Sequence, residues 1–174
     1  INIDAPIQNT IELIENNTEY ISSKSYYNVG ICYFDAKDYQ KAVENLSLAD
    51  LFYPDILTSR YLAESLFYCE KYEEAWKQIK LGYKYNADKK LLSIRDGYEI
   101  YEPIDPFEHF NYFQKVFLIL EGLILIKTGE DEEGMKRLES GANIDLDVKD
   151  ELFENVNKYL INYKSKDSLI KALN

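Results

Sequence analysis

The sequence predicts an all-α fold of paired helices, and three observations predict it. Small residues recur at a fixed interval: Gly30, Ala42 and Ala49 are followed 33 positions on by Ala63, Ala75 and Gly82. Around them, apolar residues fall three and four apart, the spacing of a helix face rather than of a strand. Between the apolar stretches lie short polar segments, Asp35-Ala36-Lys37-Asp38 and Cys69-Glu70-Lys71, with the length and chemistry of a helix-to-helix turn. One hairpin of this kind cannot bury its own apolar face, so successive hairpins must stack.

The first element follows from Ile7, Ile11 and Ile14, which share one helix face. Asp4 caps it and Pro6 fits its first turn. Asn16-Asn17-Thr18 reads as a break, giving an N-terminal helix over residues 3–22. That helix is either the second helix of a preceding repeat or a separate cap. Residues 23–55 then form a first repeat, Tyr26-x2-Val29-Gly30-x2-Tyr33-x8-Ala42-x3-Leu46-x2-Ala49-x4-Pro54. This segment resembles the tetratricopeptide repeat, whose pattern runs aromatic, x2, Leu-Gly, x2, Tyr, then Ala, x3, Phe and finally Pro. The resemblance implies a right-handed superhelix of α-hairpins and a single domain over residues 1–174.

A second repeat over residues 56–89 reads Ser59, Leu62, Ala63, Leu66, Ala75, Ile79, Gly82 and Ala87. The first aromatic and the final Pro are gone, but the small positions stay small. Residues 90–114 are an insertion: a short helix over 89–95 ending at Gly97, an irregular stretch forced by Pro103 and Pro106, then a fresh helix start at Asp105-Pro106-Phe107-Glu108. That helix runs to about Lys127, roughly 33 Å. Phe107, Phe110, Phe113 and Phe117 ride on it and are expected to cover the insertion and the neighbouring repeat. The third repeat, residues 115–147, has Gly122, Gly134, Leu138 and Gly141 in register, with Glu121 where the other copies are apolar. Thr128-Gly129-Glu130-Asp131 is its turn. Residues 148–174 form a capping helix or a truncated fourth repeat, with Leu152, Val156, Tyr159, Leu160 and Tyr163 on one stripe.

Composition limits the chemistry. The 174 residues are 46% hydrophobic, enough to fold, and the formal charge is -11. Lys and Arg group only as short pairs such as Lys89-Lys90, so neither nucleic acid nor an anionic membrane surface is an expected partner. The longest apolar run, Val116 to Ile126, is interrupted by Glu121, and no membrane insertion is expected. Cys32 and Cys69 lie in apolar helical stretches and are read as reduced core thiols, in a cytoplasmic chain. The chain opens on Ile1 rather than Met and is expected to be a piece of something longer. His109 is the one histidine, so no His/Cys metal set, Ser–His–Asp arrangement or cofactor is expected, and no catalytic residue is assigned. Glu130-Asp131-Glu132-Glu133 is an acidic first turn, lacking the alternation of a calcium loop.

What remains is the inner face of the array. The resemblance places first-helix residues there: Lys24, Tyr27, Ile31 and Phe34 from the first copy, then Leu57, Arg60, Glu64, Phe67 and Tyr68 from the second, and Val116, Ile119, Leu123 and Ile126 from the third. Family members that clamp a C-terminal carboxylate use Lys and Asn at the positions of Tyr27 and Ile31, so that activity is not implied. The candidate groove is Lys24, Tyr27, Ile31, Phe34, Arg60, Glu64, Phe67 and Tyr68, suited to an apolar peptide or helix of a protein partner. An open patch of Tyr27, Phe34, Phe67 and Tyr68 is expected, with Arg60 and Phe67 as its mutational probes. The alternatives are a substrate-gripping or dimerisation domain of a larger bacterial enzyme, such as a glycosyltransferase, and a homo-oligomer joined through open solenoid ends.

Overall fold

The computed structural model describes the backbone of residues 4–87, 106–146, 150–158 and 160–161, and side chains over 18–86 and from 110 onward within those stretches. Among these residues all regular structure is helical, with no strand. The helices are α1 (Asp4–Asp35), α2 (Tyr39–Phe52), α3 (Ile56–Tyr68), α4 (Tyr72–Ala87), α5 (Pro106–Lys127) and α6 (Asp131–Ala142). A last helix, α7, includes residues 151–158 and 160–161. They pack as an all-α array of helical hairpins: α1 with α2, α3 onto both α1 and α2, and α5 with α6. The chain divides into two compact units, Ile1–Ala75 and Trp76–Asn174, and the division falls inside α4.

The three hairpin turns are copies of one another. Two positions beyond the first helix of each pair stands a residue with left-handed backbone: Lys37 (φ 60°), Glu70 (φ 59°) and Gly129 (φ 92°). Each turn makes the same two bonds. Asp38, Lys71 and Glu130 donate their N–H to the carbonyls of Tyr33, Leu66 and Leu125, at 2.9, 2.9 and 2.8 Å. Lys37, Glu70 and Gly129 donate to Phe34, Phe67 and Ile126, at 2.9, 3.0 and 3.2 Å. This is the Schellman ending, which satisfies carbonyls that a helix end would leave orphaned. Helices α2 and α3 each gain a side-chain cap: Asp38 accepts from the Lys41 N–H at 3.3 Å, and Asp55 from the Thr58 N–H at 2.9 Å.

In the first unit, α2 turns Ala42, Val43, Leu46 and Ala49 inward. Leu46 sits against Gly30, and the Ser23 hydroxyl donates to the Ala49 carbonyl at 2.8 Å. Burying a leucine of this size stabilises by about 1.5–3 kcal/mol. In the second unit, Gly82 of α4 is filled by the Phe117 ring; a Cβ there would run into it. Asn86 donates to the Phe110 carbonyl at 3.1 Å. Phe113 and Phe117 are buried and Phe110 is exposed. Lys115 reaches past α6 to donate to the Ile144 carbonyl at 2.9 Å, its ammonium over the Phe153 ring of α7. Tyr112 donates to Asp150 at 2.8 Å, ahead of α7, whose Leu152, Phe153, Val156 and Leu160 are buried.

Two expectations are corrected. Asn16, Asn17 and Thr18 do not break the chain but lie within α1, which runs unbroken from Asp4 to Asp35. Asn and Thr cost only about half a kcal/mol each in a helix interior, too little to end a helix whose neighbours favour it. Cys32 is exposed and Cys69 half-buried, so neither is a core thiol. Cys32 lies on a face of α1 that no hairpin among the described residues covers. The helix expected over 89–95, the Gly97 stop, Tyr159, Tyr163 and the side chains of Phe107 and His109 lie outside the described residues.

Candidate functional site

Where α1 and α2 meet α3, the sequence folds its aromatic residues into a continuous ladder. Tyr27 meets Tyr61 edge-on at 6.1 Å, and Tyr61 meets Phe34 at 5.1 Å. Phe34 meets Tyr39 at 5.6 Å, and Tyr39 stacks on Tyr68 at 4.3 Å with the rings 23° apart. Tyr68 meets Phe67 at 5.5 Å, and Phe67 meets Tyr72 at 5.9 Å. Such pairs stabilise by about 0.5–1.5 kcal/mol beyond the area they bury.

The candidate groove residues divide by burial. Lys24, Tyr27, Ile31 and Phe34 are half-buried along α1, and Tyr68 is 39% exposed. Phe67, Arg60 and Glu64 are buried, so the open patch expected at Phe67 is closed and Arg60 is no surface probe. The Arg60 guanidinium lies 4.0 Å over the Tyr61 ring and pairs with Glu64 at 3.5 Å. Both side chains are only 5% exposed. A charge pair this enclosed is held by geometry, and removing one member leaves the other buried, at a cost of about 3–5 kcal/mol. In the third copy, Val116 and Ile119 are core residues, with Ile119 against Gly141 and Ile126 against Gly134 of α6.

Sequence reasoning missed Tyr39, Tyr61 and Tyr72. The signal was present for two of them. Phe34 and Tyr39 recur 33 positions on as Phe67 and Tyr72. Each Phe, at the end of a first helix, meets the Tyr that opens the second. Among the described residues, no group of three or more His, Cys, Asp or Glu is placed to hold a metal ion. No helix there is long and apolar enough to cross a membrane.

The repeated turn and the stacked hairpins define an all-α helical-repeat protein. A curated relative is the response regulator aspartate phosphatase I of Bacillus subtilis (strain 168), 34% identical over 109 residues, which is 63% of this chain and 25% of that protein. The chain thus matches about a quarter of the relative's length. No family model matches the chain, and no solved structure matches it.

Proposed function

We propose that the chain is a protein-interaction module that takes a peptide or helix of a partner along the inner face of its first two hairpins, beside Lys24, Tyr27, Ile31, Phe34 and Tyr68. The aromatic ladder carries the reading. Its rings are fixed by one another before any ligand arrives, so a partner laid on them loses little of its binding energy to ordering the site. Tyr68 is the most exposed ring and Tyr27 lies at the far end of the ladder. Arg60, Glu64 and Phe67 act from beneath, holding Tyr61 and Tyr68 in place. The chain's charge of -11 favours a partner segment that is apolar with basic flanks.

Selection from a displayed peptide library on the immobilised chain tests this. The winning peptide should bind in solution with an affinity that falls at least about tenfold, roughly 1.4 kcal/mol, in Tyr68→Ala and Tyr27→Ala, with unfolding midpoints unchanged. Equal affinity in both variants would overturn the site.

A second reading rests on the relative, whose name makes it an aspartate phosphatase of response regulators. In that reading the chain is the gripping part of a larger phosphatase, and the partner is a response regulator. An aspartyl-phosphorylated response regulator should then co-migrate with the chain, and Tyr68→Ala should release it. Both readings keep the chain in the cytoplasm, where Cys32 and Cys69 stay reduced.

A further inference from the structure

The first hairpin has two broad faces, and among the described residues only one is packed against another helix. α3 packs on the inner one. The outer one shows Ile21, Ser25, Asn28, Val29 and Cys32 on α1, all exposed, beside exposed Leu48, Leu51 and Phe52 on α2. Tyr26 stacks flat on Phe52 at 5.8 Å, the rings 1° apart, and joins the two helices across this face.

The repeat itself says what such a face is for. Shifting Ser25, Val29 and Cys32 by 33 positions gives Thr58, Leu62 and Ser65 of α3. Those three are buried, in the helix that packs on the preceding hairpin. A further 59 positions give Phe117, Glu121 and Ile124 of α5, which are buried too, against the end of α4. Thus one register position is 45% exposed at Val29 and 2% exposed at Leu62. The surface has the pattern of a hairpin-stacking face, and no hairpin among the described residues covers it.

We propose that a second copy of the chain covers it, the two first hairpins packing outer face to outer face about a two-fold axis. Charge selects this occupant and this face. A chain of formal charge -11 repels its own copy over most of its surface. Between residues 21 and 32 the one charged residue is Lys24, and the exposed charges of α2 are Lys41 and Glu44, one of each sign. A self-complementary face on both copies closes the assembly at two and leaves no growing end. The paired helices offer a face of about 21 Å by 20 Å, about 840 Å² over the two copies and below the range of stable interfaces, so the pairing is weak, with dissociation expected at about tens to hundreds of micromolar.

The test is sedimentation velocity of the whole chain from about 1 to several hundred µM, around the dissociation expected for a face this small. The mass should rise from one copy to two and stop there. Val29→Glu with Leu48→Glu should stay monomeric throughout with an unchanged thermal midpoint, both side chains being exposed. Ile161→Glu, on an exposed residue of α7, should dimerise like the parent. Alkylation of Cys32 in the parent should slow as concentration rises through the transition, which reads the same face without a substitution. A monomer at every concentration, a dimer that survives the double glutamate variant or falls to Ile161→Glu, a mass growing beyond two, or unchanged Cys32 reactivity would each overturn the proposal.

Discussion

The hairpins α1–α2 and α5–α6 share one template and close it by different means. In the first, Gly30 faces Leu46: a Cβ there would meet Leu46 Cγ at 2.7 Å and Cδ2 at 2.8 Å. A side chain fills the seam. In the last, a Cβ on Gly122 would meet the Gly134 carbonyl oxygen at 2.7 Å, and one on Gly134 would meet the Gly122 oxygen at 2.7 Å. There backbone lies on backbone. The change from Ala42 to Gly134 at one register position allows it, while Leu46 and Leu138 stay in place. A repeat can therefore keep its spacing and still choose between a seam that gives and one that does not.

Alanine at these glycines is the strongest way to break the comparison. Gly134→Ala must push against a carbonyl that its own helix holds, and overpacking of this kind costs about 3 kcal/mol, even after roughly 1 kcal/mol regained in helix propensity. Gly122→Ala should cost a similar amount. At Gly30→Ala the obstacle is the far part of a leucine, which can turn, so a loss of about 1 kcal/mol is expected. Urea unfolding of the three variants measures this. Equal losses at Gly30 and Gly134 would mean that the two seams are equally stiff.

Much of this contrast could be read in the chain. The glycines of the third copy stood in register with Gly30 and Ala42, the three turns were placed correctly, and the start of α5 at Pro106 followed from its capping residues. The depth of the groove could not be read. Register says which face of α3 a residue takes, but burial depends on what lies over that face, so Arg60 and Glu64 looked like groove charges. Cys32 was misjudged for the opposite reason. Its counterpart Ser65 is covered, and nothing in a local pattern says that Cys32 is left exposed.

The turns give a smaller and two-signed effect. Lys37 and Glu70 hold left-handed backbone with a Cβ, while Gly129 does so without one and has nothing within 4 Å of where a Cβ would stand. Gly129→Ala should therefore lose about 1 kcal/mol from backbone strain alone. Lys37→Gly and Glu70→Gly should gain somewhat less, because glycine also loses more chain freedom on folding. Thermal unfolding of the three variants should show the opposite signs. A loss on Lys37→Gly would mean that its side chain, rather than its backbone, holds the first turn.

The smallest effect concerns Glu121, which stands at the register position of Val29 and Leu62 and is 8% exposed. Tyr83 donates to its carboxylate at 3.2 Å, and Arg137 lies at 3.6 Å. Burial raises its pKa, against the downward pull of Arg137, Tyr83 and Lys80. The same burial lifts the Tyr83 phenol above its usual range. Folded, Glu121 then holds its proton more tightly than in the unfolded chain. Its contribution is complete below the ordinary carboxylate pKa, about 4.3, and is lost as pH rises through the raised value. The parent should lose thermal midpoint relative to Glu121→Gln between about pH 4 and neutrality. At Val29, where the face of a single copy is open to water, a glutamate gains no such shift from burial, and the same pair of Glu and Gln variants should differ by a constant amount. A Glu121 difference that stays flat with pH would mean that Arg137 offsets the burial in full.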